Sequence, residues 1–307
     1  METSSVPLLA QSGRAPYLDD VPTRPDREPG WQRVAHGVHA RADEWTAANG
    51  RSRHRALIAE AAAQYGDDLV LVGASAAVHL GLPVLGPIPR LVQCLGTHGQ
   101  RRRTTLVERR RTTATPPIVE VNGVLTTAPS TTGLDLARWS TLVAGVAALD
   151  KVLHENTATT DDVTAALAAL PTGAVGARRA REAAHLADAR AESPGESLSR
   201  VRMWQAGLPE PDLQRTVIVE GRRYRLDFLW HGVRVCGEFD GRVKYTRDAF
   251  GVDPQDAVWS ERLREQALRR GGLAVARWTW DEAWYRDGAA MLAELARHGI
   301  RPNGRRW

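Results

Sequence analysis

The chain of 307 residues exceeds the usual size of one domain, so two units of roughly 100 to 200 residues are expected, and a hydrophobic content of 43% supplies a core for each. Its 41 basic and 36 acidic residues leave a net charge of +5, which favours anionic partners without making the chain polybasic. Two cysteines, Cys94 and Cys236, stand at no metal-ligand spacing, which excludes a disulfide framework and a zinc ribbon and points to a reducing cytoplasm.

In chain order, residues 1–30 hold five prolines and read as a tail without packed structure. They contain no basic stretch leading into a long apolar core, so no secretory signal is read there. From Trp31, "WQRVAHGVHAR" alternates like a strand, and "SRHRALIAEAAAQYG" predicts a helix with Ser52 as N-cap and Gly66 as its stop. The apolar run Leu69 to Pro89 approaches membrane length, but its prolines, glycines and His79 break it into a soluble helix and a turn, so no membrane partner is expected. "RLVQCLGT" and "TTLVERRRT" read as strands flanking the basic cluster Arg101, Arg102 and Arg103. With Arg109, Arg110 and Arg111, that cluster offers contacts to nucleic-acid phosphates; solvated hairpin ends are the alternative. "TTGLDLARWSTLVAGVAALDKVLH" carries leucines at helical spacing, and two more helices follow before "SPGE" marks a boundary. A mixed α+β first unit over 31–192 and a second unit over 193–307 result.

The second unit reads as a helix from Glu196, strands "LQRTVIVE", "RYRLDFLW" and "GVRVCGEFD", a helix "QDAVWSERLREQALRRGG", a strand "LAVARWTW" and a last helix. This is an αβββαβ core closed by a helix, and the whole chain is of α/β class. Three acids, Asp227, Glu238 and Asp240, stand inside apolar strands. If His231 and Gly232 make a two-residue turn, Trp230 pairs with Val233 and Asp227 with Cys236, and alternation puts Asp227, Glu238 and Asp240 on one face. Converging carboxylate oxygens favour Mg²⁺ or Mn²⁺, which would activate a water for attack on a phosphodiester. Lysine occurs only at 151 and 244, and Lys244 stands four residues beyond Asp240, placed to orient that water or the phosphate. Ion pairing of these acids with Arg225 and Arg234 on a solvated face is the alternative. Arg264, on the following helix, would face nucleic acid near the metal or lie on an exposed charged face.

Through "ESLSR", "RLDF", "GEFDGRVKY", "ERLREQALRRGG" and "VARWTWDE", the second unit resembles the PD-(D/E)XK nuclease superfamily, in its branch similar to very-short-patch repair endonucleases. The resemblance implies a restriction-endonuclease-like core with Asp227 and Glu238 on a metal ion, Glu196 assisting, and a lysine positioning water. Asp240 stands where that lysine is usual, and Lys244 lies further on. Through "WQRVAHGVHAR", "RHRALIAEAA", "SAAVHLGLPV" and "LTTAPSTTGLDLARWSTLVAGVAALDKVLH", the first unit resembles AbiEi-type antitoxins, without the helix pair that precedes the strand in that family. Together these imply a cytoplasmic DNA-binding protein with a Mg²⁺- or Mn²⁺-dependent endonuclease domain. The alternative is an antitoxin-like transcriptional regulator with a non-catalytic nuclease-like domain, partnered by a cognate toxin or a second copy of the chain.

Overall fold

The structure is a computed structural model that describes residues 9–10, 25, 27–96, 102–111, 115–241 and 254–307. The chain divides into two compact units, Met1–Ala187 and Asp188–Trp307. Arg101, Lys244 and most of the expected N-terminal tail lie outside the described residues.

The first unit begins with a small sheet in which β1 (Leu9–Ala10) and β2 (Trp31–Ala35) flank β3 (Val38–Arg41). "WQRVAHGVHAR" is thus a hairpin rather than one strand, because Gly37 takes a left-handed turn conformation in its middle. Helices α1 (Ala42–Ala47) and α2 (Gly50–Tyr65) follow. The cap of α2 is Asn49, whose side chain accepts from the Ser52 N–H, so Ser52 sits inside the helix it was expected to start. Next come β4 (Val70–Leu71), α3 (Gly73–His79), β5 (Val92–Gly96), β6 (Val107–Arg111), β7 (Ile118–Val121) and β8 (Val124–Thr127). They form a five-stranded sheet in the order β6-β5-β4-β8-β7. β5 and β6 run parallel and so form no hairpin with each other, while Arg102 and Arg103 fold back antiparallel onto the start of β6 through the Arg103–Glu108 bridge. The apolar run from Leu69 splits into β4 and α3, and no described helix is long and apolar enough to cross a membrane.

The long leucine-patterned stretch is two helices, α4 (Pro129–Trp139) and α5 (Leu142–His154), parted where Thr141 caps the second through the Ala144 N–H. They approach so closely that a Cβ on Gly145 would lie 2.4 Å from the Ala137 Cβ. Helices α6 (Thr160–Ala168) and α7 (Ala177–Leu186) complete this layer. Cys94 is buried in the core between the sheet and α2.

In the second unit, α8 (Pro194–Gln205) precedes β9 (Asp212–Val219), β10 (Arg222–Trp230) and β11 (Val235–Asp240). Then follow α9 (Pro254–Arg270), β12 (Ala274–Thr279), α10 (Trp280–Trp284) and α11 (Ala289–Arg297). The sheet order is β12-β11-β10-β9, with β11 and β12 parallel and the other pairs antiparallel. The turn after β10 spans four residues, His231 to Arg234, and ends with Arg234 in the left-handed region. The register therefore moves by two residues from the two-residue-turn expectation: Trp230 pairs with Val235 and Leu229 with Cys236. Leu229 and Cys236 pack with Leu226 and with Leu268 of α9 in one core. On the other face Phe228 stacks near Trp230 and lies 5.5 Å from Trp278, whose indole N–H donates to the Ser199 Oγ of α8 at 2.7 Å. Burial pushes the Cys236 thiol up to about 12.

Helix α8 lies tight on β11. A Cβ on Gly195 would stand 2.0 Å from the Phe239 ring, so glycine at 195 sets how closely Glu196 approaches the sheet. Gly195→Ala is expected to lower the stability of the second unit by about 1–3 kcal/mol through overpacking, measured by urea denaturation. An unchanged midpoint would show that Phe239 gives way freely.

Candidate functional site

Four elements of the second unit bring polar side chains together. Ser193, the N-cap of α8, accepts from the Glu196 N–H at 3.2 Å and donates its hydroxyl to Glu196 Oε1 at 2.8 Å. The Glu192 N–H donates to Glu196 Oε2 at 3.2 Å, so the carboxylate folds over the positive end of its own helix. From β9, the Gln214 amide donates to Glu196 Oε2 at 2.7 Å and to Asp227 Oδ1 at 3.3 Å. Asp227 Oδ2 accepts the backbone N–H of Phe239 at 2.9 Å.

This bridging depends on a break in the strands. Gln214 sits opposite Asp227, between the pairs Leu213 with Phe228 and Arg215 with Leu226, and its φ is +52°. A left-handed conformation for a non-glycine residue costs about 1–2 kcal/mol and redirects its side chain. Strict alternation fails at the same level, because Leu226 and Leu229, three residues apart, pack in the same core. Asp227 stands at the irregularity, so the simple one-face argument from alternation does not carry across it.

On β11, Glu238 is gripped by Arg264 of α9. Arg264 Nη1 donates to Oε2 at 3.0 Å and Nη2 to Oε1 at 2.9 Å, a bidentate fork. The same Nη2 reaches the Arg225 carbonyl at 2.5 Å, tying β10 in as well. Arg264 is thus turned inward to the acid row rather than lying on an open charged helix face. Arg225 instead pairs with Glu192, and Arg234 donates to the Gly271 and Gly272 carbonyls. Neither takes the role of counter-ion to Asp227 or Glu238 that the solvated-face alternative gave it. Asp240 ends β11 opposite Thr279, half-buried.

Burial raises Glu196, Asp227 and Glu238. It holds Glu196 above the usual carboxylate range, with the Asp227 charge adding to the effect. It raises Asp227 against the pull of the Phe239 and Gln214 hydrogen bonds. It pushes Glu238 up to about 7, outweighing the attraction of Arg264.

A divalent ion on this site would need carboxylate oxygens that converge on a common point. Among the described residues, no group of three His, Cys, Asp or Glu side chains does so. Both Glu238 oxygens are engaged by a guanidinium and both Asp227 oxygens by N–H donors, so a positive group of the chain already stands against the row. As arranged, these residues do not fit the ion. The sequence pointed to Glu196, Asp227 and Glu238 but missed Gln214, whose only signal was a polar amide inside a strand.

In the first unit, Arg103 is bound to buried Glu108 through Nε at 3.0 Å and Nη2 at 2.7 Å. Arg102 is exposed and lines a groove with Arg109, Arg110, Arg111 and Arg138.

Two measurements check the second-unit site. Gln214→Gly is expected to be more stable than Gln214→Ala by about 1 kcal/mol, since both lose the amide but only glycine relieves the positive φ. Equal stabilities would place the strain elsewhere. Folded Glu238 holds a proton up to about pH 7, whereas an ordinary glutamate releases it near 4.5. Stability should therefore rise as pH falls from 8 towards 5, and Glu238→Gln should flatten that rise in melts across this range.

Comparison with known proteins places residues 69–188 in agreement with the family model of the AbiEi antitoxin C-terminal domain. Two curated relatives from Mycobacterium tuberculosis, uncharacterized protein Rv2248 of strain H37Rv and uncharacterized protein MT2308 of strain CDC 1551, are each 31% identical over 179 residues. The match covers 58% of this chain and 63% of theirs. No solved structure matches significantly. The segment from β4 to the end of α7 is therefore similar to an AbiEi antitoxin C-terminal domain, joined to a second unit in which an arginine closes a buried row of acids.

Proposed function

We propose that the chain is an AbiEi antitoxin-like regulator of the cytoplasm that acts by binding DNA or a cognate toxin, with its second unit serving as a nuclease-like module that does not hydrolyse. The match of residues 69–188 to the antitoxin domain carries this reading. The fork of Arg264 on Glu238 supports it, because a hydrolytic centre needs that carboxylate for a cation.

The competing reading is a Mg²⁺- or Mn²⁺-dependent endonuclease built on Asp227, Glu238 and Asp240, with Glu196 and Lys244 in support. The specific observation in its favour is the gathering of Glu196, Asp227 and Glu238, each raised by burial, around β10 and β11. It requires Arg264 to leave Glu238 before an ion enters.

Both readings are separated by incubating the full chain with plasmid DNA and with the DNA upstream of its own gene, with and without Mg²⁺ or Mn²⁺. Retention of the upstream fragment at physiological salt without nicking is expected. Nicking that disappears in Asp227→Ala would overturn the regulator reading in favour of hydrolysis.

A further inference from the structure

Strand β6 places Arg109, Arg110 and Arg111 in succession at the edge of the first unit's sheet. With Arg102 and Arg138 they line an open groove of about 700 Å³ beside Trp139, and among the described residues no acid lines it. The two acids beneath are already engaged. Glu108 is held by Arg103, with Arg110 at 3.6 Å, and Asp135 is held by Arg138 at 2.8 Å. Burial also pushes the Asp135 carboxyl up to about 7, which weakens its negative charge further.

The indole of Trp139 organises the cations. The guanidinium of Arg110 lies 5.6 Å from its ring centre and that of Arg138 5.0 Å. Stacking fixes a guanidinium plane while leaving its N–H edge for an acceptor. Two buried groups at this place have no hydrogen-bond partner among the described residues: Arg110 Nε, and the Thr131 hydroxyl, whose residue is 8% exposed. Thr131 lines a narrow, largely apolar slot that shares Arg110, Arg138 and Trp139 with the groove and is also lined by Asp135, the acid that Arg138 holds. With about 40 Å³ of free space, the slot admits a small polar group and not a nucleobase. Both unpartnered groups can donate, and donors collected with guanidinium groups call for an acceptor-rich anion. Arg109 and Arg111, two residues apart on a strand, are separated by about 7 Å, which suits successive phosphates more than a single one.

We infer that this groove is a binding site for phosphates in series, with one phosphate oxygen reaching the Thr131 hydroxyl. Two sources carry that chemistry, a free polyphosphate chain as in a nucleoside triphosphate and the backbone of a nucleic acid. The site stands on the first unit's own geometry and does not depend on whether the chain regulates its own gene or cuts DNA.

The test uses the full chain with three probes: inorganic tripolyphosphate by calorimetry, and a fluorescent 20-nucleotide single strand and its duplex by anisotropy. Arg102→Glu with Arg111→Glu, both exposed positions, is compared with Arg222→Glu and Arg223→Glu, exposed positions of the second unit that change net charge equally. The groove pair is expected to lose about tenfold or more in affinity and to reduce the salt dependence by about two phosphate contacts, with the control pair near wild type. Thr131→Val should weaken binding several-fold without lowering the melting temperature, because the hydroxyl it removes makes no bond to another described residue. Binding of tripolyphosphate alone assigns the site to small polyphosphates, and binding of the oligonucleotides assigns it to nucleic acid. Equal losses in the two charge-reversed pairs, or no binding of any probe at millimolar concentration, would overturn the inference.

Discussion

The second unit rests on one guanidinium. A carboxylate inside a sheet is tolerated when a counter-charge meets it with good geometry, and taking away one partner of such a buried pair costs about 3–5 kcal/mol. Arg264 meets Glu238 with two parallel hydrogen bonds and spends a third on the Arg225 carbonyl. One side chain of α9 thereby joins the helix to β11 and β10 at once. The closed state of the acid row depends on that contact, which also works against the burial that raises the proton affinities of Glu238 and Asp227.

Much of this architecture is written in local patterns. The αβββαβ order follows from alternating apolar strands and glycine-closed helices, and the acids on β10 and β11 stand out because charge is rare in such segments. What escaped was the backbone conformation between them. A single left-handed residue, Gln214, breaks the alternation on which a face assignment relies, and nothing in its side chain announces a positive φ. The turn at His231 to Arg234 is longer than its His-Gly pair suggests, because Arg234 itself adopts the left-handed conformation. Arg264 was visible as a charge on a helix, but the phase of α9 against the sheet is set by Ala267 and Leu268 packing inward, a tertiary fact. The basic groove was half legible: the arginine runs were plain, while Trp139 and Asp135 arrive from another helix and only the fold sets them beside β6.

The basic groove of the first unit and the acid row of the second present opposite electrostatics, although each unit as a whole is slightly basic. In the groove, five arginines gather and no acid lines it among the described residues, and the Trp139 indole lies against two of them, an arrangement that suits an anion. In the second, acids are drawn inward and answered by the chain's own arginine, amide and backbone donors. A segment similar to an AbiEi antitoxin domain that carries a basic groove, and a second unit whose acids are satisfied by its own donors, are consistent with a protein that works by association. The net charge of +5, spread over the entire chain, conceals this division.

The placement of the two cysteines has a practical consequence. Cys94 belongs to the buried core of the first unit and Cys236 to that of the second, and burial raises both thiols so that neither is a ready nucleophile while folded. Each becomes reactive only when its own core opens. The chain thus carries one native chemical clock per unit, and the rate at which each thiol is alkylated reports the local opening of that unit without any engineered probe.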